Sequence, residues 1–356
     1  KLTGYNLNAS TQIYGTQAPA SVVLGFGTFP PAMPTLTQTD DTATTPSVVN
    51  TTGGFNNPNN QKVNTVISGS GAAASVQLTQ SNWFTFGSAG EGNGLLSFPS
   101  NIAVDVGGNI YVVDSGHHVV QKFSPLGIWL MNFGTYGVAG SATTQLNNPG
   151  GAAIDSSGNV YVSDTNNSRI QKYDSSGGLI SSFTPALLFP RGISVDSAGY
   201  MYVADSGNNR VAKLNSAGAF WMNIGFGAGT GAGQMSDPFG VVVDSGGNLV
   251  ILDKGNNRVQ KFNASTGAYI SQFGSFGTAD GLFSAPYGIA IDAGDNIYVA
   301  DTGNNRIQKF GFGGNFIDKY GSLGSGLGQL SAPFGVAVGS KGRINIAYTN
   351  NTRDQI

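Results

Sequence analysis

The feature that most constrains this chain is a sequence unit that returns six times. One copy runs Pro286-Tyr287-Gly288-Ile289-Ala290-Ile291-Asp292, then Asn296-Ile297-Tyr298-Val299-Ala300-Asp301, then Asn304-Asn305-Arg306-Ile307-Gln308-Lys309-Phe310. Copies begin at Pro99, Pro149, Pro190, Pro238, Pro286 and Pro333, at spacings of 50, 41, 48, 48 and 47 residues. Within each copy the apolar residues alternate or form short runs, and Gly-Asn turns such as Ser157-Gly158-Asn159 separate them, so each reads as antiparallel strands. A fourth strand, of the type Tyr269-Ile270-Ser271-Gln272-Phe273-Gly274, precedes the next proline. Four strands per unit of about 45 residues predict a blade of a radial β-propeller.

The sixth copy ends at Ile356 without a fourth strand. Asn82-Trp83-Phe84-Thr85-Phe86-Gly87 has the fourth-strand pattern and stands before the first copy. Trp83, Phe84 and Phe86 are therefore expected to close the last blade by edge pairing. The fold class is all-β: a six-bladed propeller over residues 81–356, with a β-prone extension over 1–80. The motifs Pro-x-Gly-Ile-Ala-Ile-Asp, Ile-Tyr-Val-Ala-Asp and Asn-Asn-Arg-Ile-Gln-Lys-Phe resemble the NHL repeat family over residues 82–356. That resemblance implies a propeller used most often as a protein- or ligand-binding platform. Some members bind RNA, and related propellers include lyases and lactonases, so it leaves function open.

The polar residues repeated in every copy are expected to serve the blade. Asp164, Asp205, Asp253 and Asp301 end the second strand, as does Asp114 in the first copy; Arg169, Arg210, Arg258 and Arg306 open the third. Each Asp can pair with the Arg five residues on. The Asn-Asn pairs, such as Asn208-Asn209, are turn formers. Lys122, Lys172, Lys213, Lys261 and Lys309 read as solvated blade edges. Departures from the repeat say more. His117-His118 replace Asn-Asn in the first copy, where Val119 replaces Arg, and read as a solvated turn. They are the only histidines, and adjacent histidines on a turn do not make a metal site. Copy six has Gly339 and Tyr348 in place of Asp. The glycine-rich loops 134–148 and 225–237 vary between copies and suit a recognition face.

Composition narrows the function classes. The chain has 356 residues, no cysteine and a net charge of −2, with 10% charged residues against an ordinary share of about 25%. Disulfides, Cys-zinc sites and thiol nucleophiles are excluded. A nucleic-acid platform would need a basic face. No apolar run approaches the roughly 20 residues of a membrane-spanning helix. Residues 1–80 carry only Lys1, Asp40, Asp41 and Lys62 as charges. Around a Pro-containing stretch at 34–60 lie β-prone segments that include Val22, Val23, Leu24, Phe26 and Phe29 before it and Val63, Val66 and Ile67 after it.

Such an uncharged arm suits strand addition to a neighbouring copy. The chain starts at Lys1, and secretion with a removed signal peptide is the expectation. Asn-x-Ser/Thr acceptor patterns begin at Asn8, Asn50, Asn166, Asn263 and Asn350. The expected function is a secreted, non-enzymatic structural or adhesive propeller, without cofactor, whose copies join through the arm into a filament or surface layer. The alternatives are a monomeric extracellular propeller that binds a protein or glycan, and a metal-dependent lyase- or lactonase-like enzyme.

Overall fold

The computed structural model describes residues 85–356, apart from 327, 341, 349–352 and 356, together with six short strands within residues 1–80. The chain divides into two units, Lys1–Phe84 and Thr85–Ile356. In the first, Leu2–Thr3, Leu36–Thr39, Ala73–Gln80 and Val63–Ser68 lie in that order across one antiparallel sheet, and Ile13–Tyr14 pairs with Ser21–Val22. Val22 thus lies on the small hairpin, and Val63, Val66 and Ile67 on an outer strand of the larger sheet. Val23, Leu24, Phe26, Phe29, Trp83 and Phe84 lie outside the described residues.

The second unit is a β-propeller. Blade one comprises Pro99–Val104, Ile110–Asp114, Val119–Phe123 and Trp129–Phe133. Blades two, three, four and five repeat the arrangement from Gly151, Pro190, Pro238 and Gly288 to Phe183, Ile224, Phe273 and Tyr320. These five are each built from consecutive strands. A sixth four-stranded sheet joins both ends of the unit: Pro333–Val338, Ile344–Tyr348, Arg353–Gln355 and then Thr85–Phe86, with Asp354 opposite Phe86. First strands of neighbouring blades pack in a closed ring, and that of the sixth sheet lies against that of blade one.

Buried side chains of adjacent sheets form the core. Tyr202, Val211 and Ile224 of blade three pack with Val241, Ile251 and Phe262 of blade four, and Val250, Leu252 and Val259 of blade four with Ile289, Val299 and Phe310 of blade five. Near the axis the sequence turns small because the strands converge. A Cβ on Gly288 would stand 2.5 Å from the Phe334 carbonyl oxygen of the next blade, and one on Gly192 2.7 Å from that of Phe239. A cavity of about 210 Å³ lies on the axis, lined by residues of all six first strands, among them Ala103, Gly192, Val242 and Ala290.

Antiparallel alternation gives the disc two faces. Blade-to-blade loops and the turns from second to third strands share one, here the loop face. The other two turns of each blade share the opposite, or turn, face.

Candidate functional site

The loop face is built on a repeated node. Asp164, Asp205, Asp253 and Asp301 are fully buried, and each pairs with the Nε of Arg169, Arg210, Arg258 and Arg306 at 2.6–2.8 Å. The same carboxylates accept a backbone N–H from the incoming loop, at Asn147, Leu188, Ser236 and Ser284, and an amide hydrogen bond from Asn167, Asn208, Asn256 and Asn304. The rest of the guanidinium binds loop carbonyls; that of Arg258 reaches Thr230, Gly231 and Gln234. Each node therefore holds a blade to the loop that enters it.

The two histidines belong to this scaffold, so the reading of a solvated turn is corrected. His117 is 3% exposed, and its Nδ1 lies 2.7 Å from Asp114 Oδ2, where other blades have the first Asn. Its ring lies 4.6 Å from that of Tyr136, and its Nε2 is 3.2 Å from Glu91 Oε2 without the alignment of a hydrogen bond. Burial raises the Asp114 carboxyl above its ordinary value, against the pull of the His117, Ser97 and Gln121 hydrogen bonds. His118 takes the place of the second Asn. Its Nδ1 accepts the Asn148 N–H at 3.1 Å, as the Asn209, Asn257 and Asn305 oxygens accept from Asp237, Ala285 and Ala332. The residues before the six prolines, Phe98, Asn148, Phe189, Asp237, Ala285 and Ala332, all have φ between 43° and 54°, a left-handed backbone that non-glycine residues adopt at a cost.

Loops 134–148 and 225–237 are less variable than their sequences suggest. Both close on the same isolated bridge, Ala139 with Leu146 and Ala228 with Met235, and bury the second residue completely. The lysines likewise are more than solvated edges. Lys213 and Lys261 are buried, and Lys261 pairs with Asp244 at 2.8 Å. Burial alone would raise the Asp244 carboxyl, but Lys261 and Asn248 outweigh it and hold it below the ordinary value. Of the acceptor asparagines, Asn166 is exposed, with its side chain donating to Asn147, and the Asn263 oxygen accepts from the Ser265 and Thr266 N–H groups. Asn8, Asn50 and Asn350 lie outside the described residues.

What the scaffold presents is set by the residue after the proline of each repeat: Ser100, Gly150, Arg191, Phe239, Tyr287 and Phe334 in turn. Four of these six form a continuous ladder along the loop-face end of the channel. The Arg191 guanidinium lies 5.4 Å from the Phe239 ring centre; Phe239 meets Tyr287 edge-on at 4.8 Å; Tyr287 stacks on Phe334 at 3.9 Å. Lys254 stands 4.6 Å over Tyr287 and pairs with Asp237 at 2.5 Å. Arg191 Nε is buried and has no hydrogen-bond partner among the described residues. Burial lowers the Arg191 pKa, opposed by the nearby Asp237 carboxylate, yet a guanidinium stays charged. The remaining two positions, Ser100 and Gly150, leave the rest of the rim small. The expected site residues did not include this ladder; its signal in the sequence is variation at one fixed position of the repeat.

Residues 96–123, 146–173, 187–214, 235–262 and 283–310 match the NHL repeat. This chain is an NHL-repeat β-propeller. The sixth blade falls outside the matched stretches. A gluconolactonase from Xanthomonas campestris is similar in structure, with a TM-score of 0.58 at 12% identity over 77% of this chain and 88% of that one. A streptogramin B lyase superposes with a TM-score of 0.55 at 13% identity, over 77% and 97%. A chain of a nidogen/laminin complex does so at 0.52 and 17%, over 66% and 91%. At these identities the likeness is one of fold. No curated protein matches the sequence.

Proposed function

We propose that this NHL-repeat propeller is a non-enzymatic, extracellular recognition protein that holds a partner protein on its loop face. The observation that carries the reading is Arg191. A buried guanidinium nitrogen without a partner is costly, and it sits at the end of an aromatic ladder that the blade scaffold does not require. Together they offer stacking faces and an anion-binding donor, the chemistry of holding a segment that bears a carboxylate beside an aromatic or apolar side chain. Arg, Tyr and Phe are the residue types that concentrate binding energy in interfaces. The nidogen/laminin complex is a case of this fold solved with a partner, and the lyase and lactonase relatives share the fold without assigning its chemistry here. The extracellular assignment rests on the acceptor patterns and the low charge of the chain.

Panning a random peptide library on the whole protein tests the reading. Wild type is expected to enrich peptides that combine Asp or Glu with an aromatic residue, and Arg191→Ala and Tyr287→Ala to lose most of that enrichment. Equal enrichment by wild type and both variants would overturn it.

The extension supports a second role, assembly of copies into a filament or layer. Its larger sheet has Leu2–Thr3 and Val63–Ser68 as outer strands, and an outer strand offers a backbone edge for strand addition.

A further inference from the structure

On the turn face, between blades three and four, a cleft of about 550 Å³ is lined by Asp196, Tyr200, Tyr202, Lys213, Asp244 and Ser245, among others. Its existence follows from departures that blade three makes from the repeat. In blades two, four and five an Asn stands four residues after the turn Asp and binds it through its side chain: Asn159 to Asp155, Asn248 to Asp244, Asn296 to Asp292. The third-strand lysine of each blade then lies 2.8–4.0 Å from that carboxylate. Blade three has Tyr200 in place of the Asn. Its lysine, Lys213, crosses to blade four and donates to the Ala264 carbonyl at 2.8 Å. The blade-four turn that receives it has one more residue between paired positions, Phe262 and Tyr269, than the turn between Leu214 and Phe220.

These changes leave an unusual set of groups. Lys213 is 6% exposed, with its ammonium 4.5 Å from the Tyr200 ring centre and 5.3 Å from that of Tyr202. An ammonium has three N–H donors, and one is used. The Asp196 carboxylate accepts from the Ala198 and Tyr200 N–H groups and the Tyr202 hydroxyl, all at 2.9 Å; a carboxylate has about four acceptor sites. Trp221 stands edge-to-face with Tyr200 at 5.9 Å and is 58% exposed, where the neighbouring blades have Ile180 and Ile270.

The occupant must satisfy all of these. An anion would meet the Asp196 carboxylate. A cation would meet Lys213. An apolar molecule would leave the remaining Lys213 donors unpaired at a cost. A ring with hydroxyls at its edge, each both donor and acceptor, and an apolar face for the aromatic side chains fits them together. We propose that this cleft is a binding site for a neutral pyranose sugar, with Tyr200 as the aromatic surface, held in place by Trp221 outside the lining, and Lys213 and Asp196 as the polar contacts. The cleft volume lies in the range of small-molecule sites. The site is separate from the loop-face ladder and does not depend on it.

The test uses the whole protein and a panel of glucose, galactose, mannose and their disaccharides, beside glucuronate and glucosamine, followed by tryptophan fluorescence and calorimetry. Tyr200→Asn and Trp221→Ile restore residues found in other blades and should fold. The expected result is saturable binding of at least one neutral sugar, weakened tenfold or more by Tyr200→Asn, less by Trp221→Ile, and unchanged by Arg191→Ala. No binding across the panel, preference for a charged sugar, or undiminished binding by Tyr200→Asn would overturn the proposal.

Discussion

Blades one to five each carry a fully buried aspartate at the end of the second strand. Asp253 has no exposed surface, and its partners are Arg258, Asn256, Gln260 and the Ser236 N–H. Removing it strands the guanidinium of a side chain only 7% exposed. Asp253→Ala is expected to cost about 3–5 kcal/mol, the range for breaking one half of a buried pair. The first-blade histidines follow a different rule. Because His118 makes the contact that Asn209, Asn257 and Asn305 make elsewhere, an Asn there keeps both the acceptor and a residue type suited to φ near 60°. His118→Asn should therefore change stability by less than about 1 kcal/mol, within the spread of substitutions that keep a site's contacts. Urea unfolding of the two variants checks both; an equally large loss for each would show that His118 does something asparagine cannot.

At the scale of elements, the critical strand is the shortest of the propeller. Thr85–Phe86 closes the sixth sheet through two residue pairs, Gln355 with Thr85 and Asp354 with Phe86. Phe86 is 8% exposed and meets the Phe123 ring of blade one at 4.9 Å. Phe86→Ala is expected to cost about 3–5 kcal/mol, as buried Phe-to-Ala changes do, and to expose the strand at Arg353–Gln355, its partner in the sheet, to limited proteolysis. Phe276, 75% exposed in a loop, is the control: its alanine variant should stay within about 0.5 kcal/mol of wild type. A Phe86 variant with the wild-type midpoint would mean that the ring holds without this strand.

The same scale explains what was legible in the sequence. Asp164 and Arg169 are five residues apart across one turn, so local geometry brings them together wherever the repeat occurs. The similarity of 82–87 to the fourth strands likewise marked a strand lacking its blade. The Arg191–Phe239–Tyr287–Phe334 ladder and the Lys213 cleft join residues about 48 positions apart on different blades. Which way Lys213 turns depends on Tyr200 and on one extra residue in the neighbouring turn, and no periodicity encodes that.

At the scale of the whole molecule, charge is unevenly placed. The propeller carries most of its charges within blades as Asp–Arg and Asp–Lys pairs, while residues 1–80 have four charged residues in all. Outer strands with few charges lack a common protection against edge pairing. If copies add strands through Leu2–Thr3 or Val63–Ser68, backbone hydrogen bonds supply the affinity, and head-to-tail contacts grow into open chains unless the rotation closes them into a ring. Such contacts contain little that salt can screen. In sedimentation velocity the full chain is therefore expected to form larger species as concentration rises, in 1 M salt as in 0.1 M. A chain beginning at Ser81, which keeps Thr85–Phe86 to close the sixth blade, is expected to remain a monomer. Negative-stain electron microscopy of the full chain would then separate filaments from layers. Monomers from both chains at every concentration would remove the assembly role and leave the extension without one.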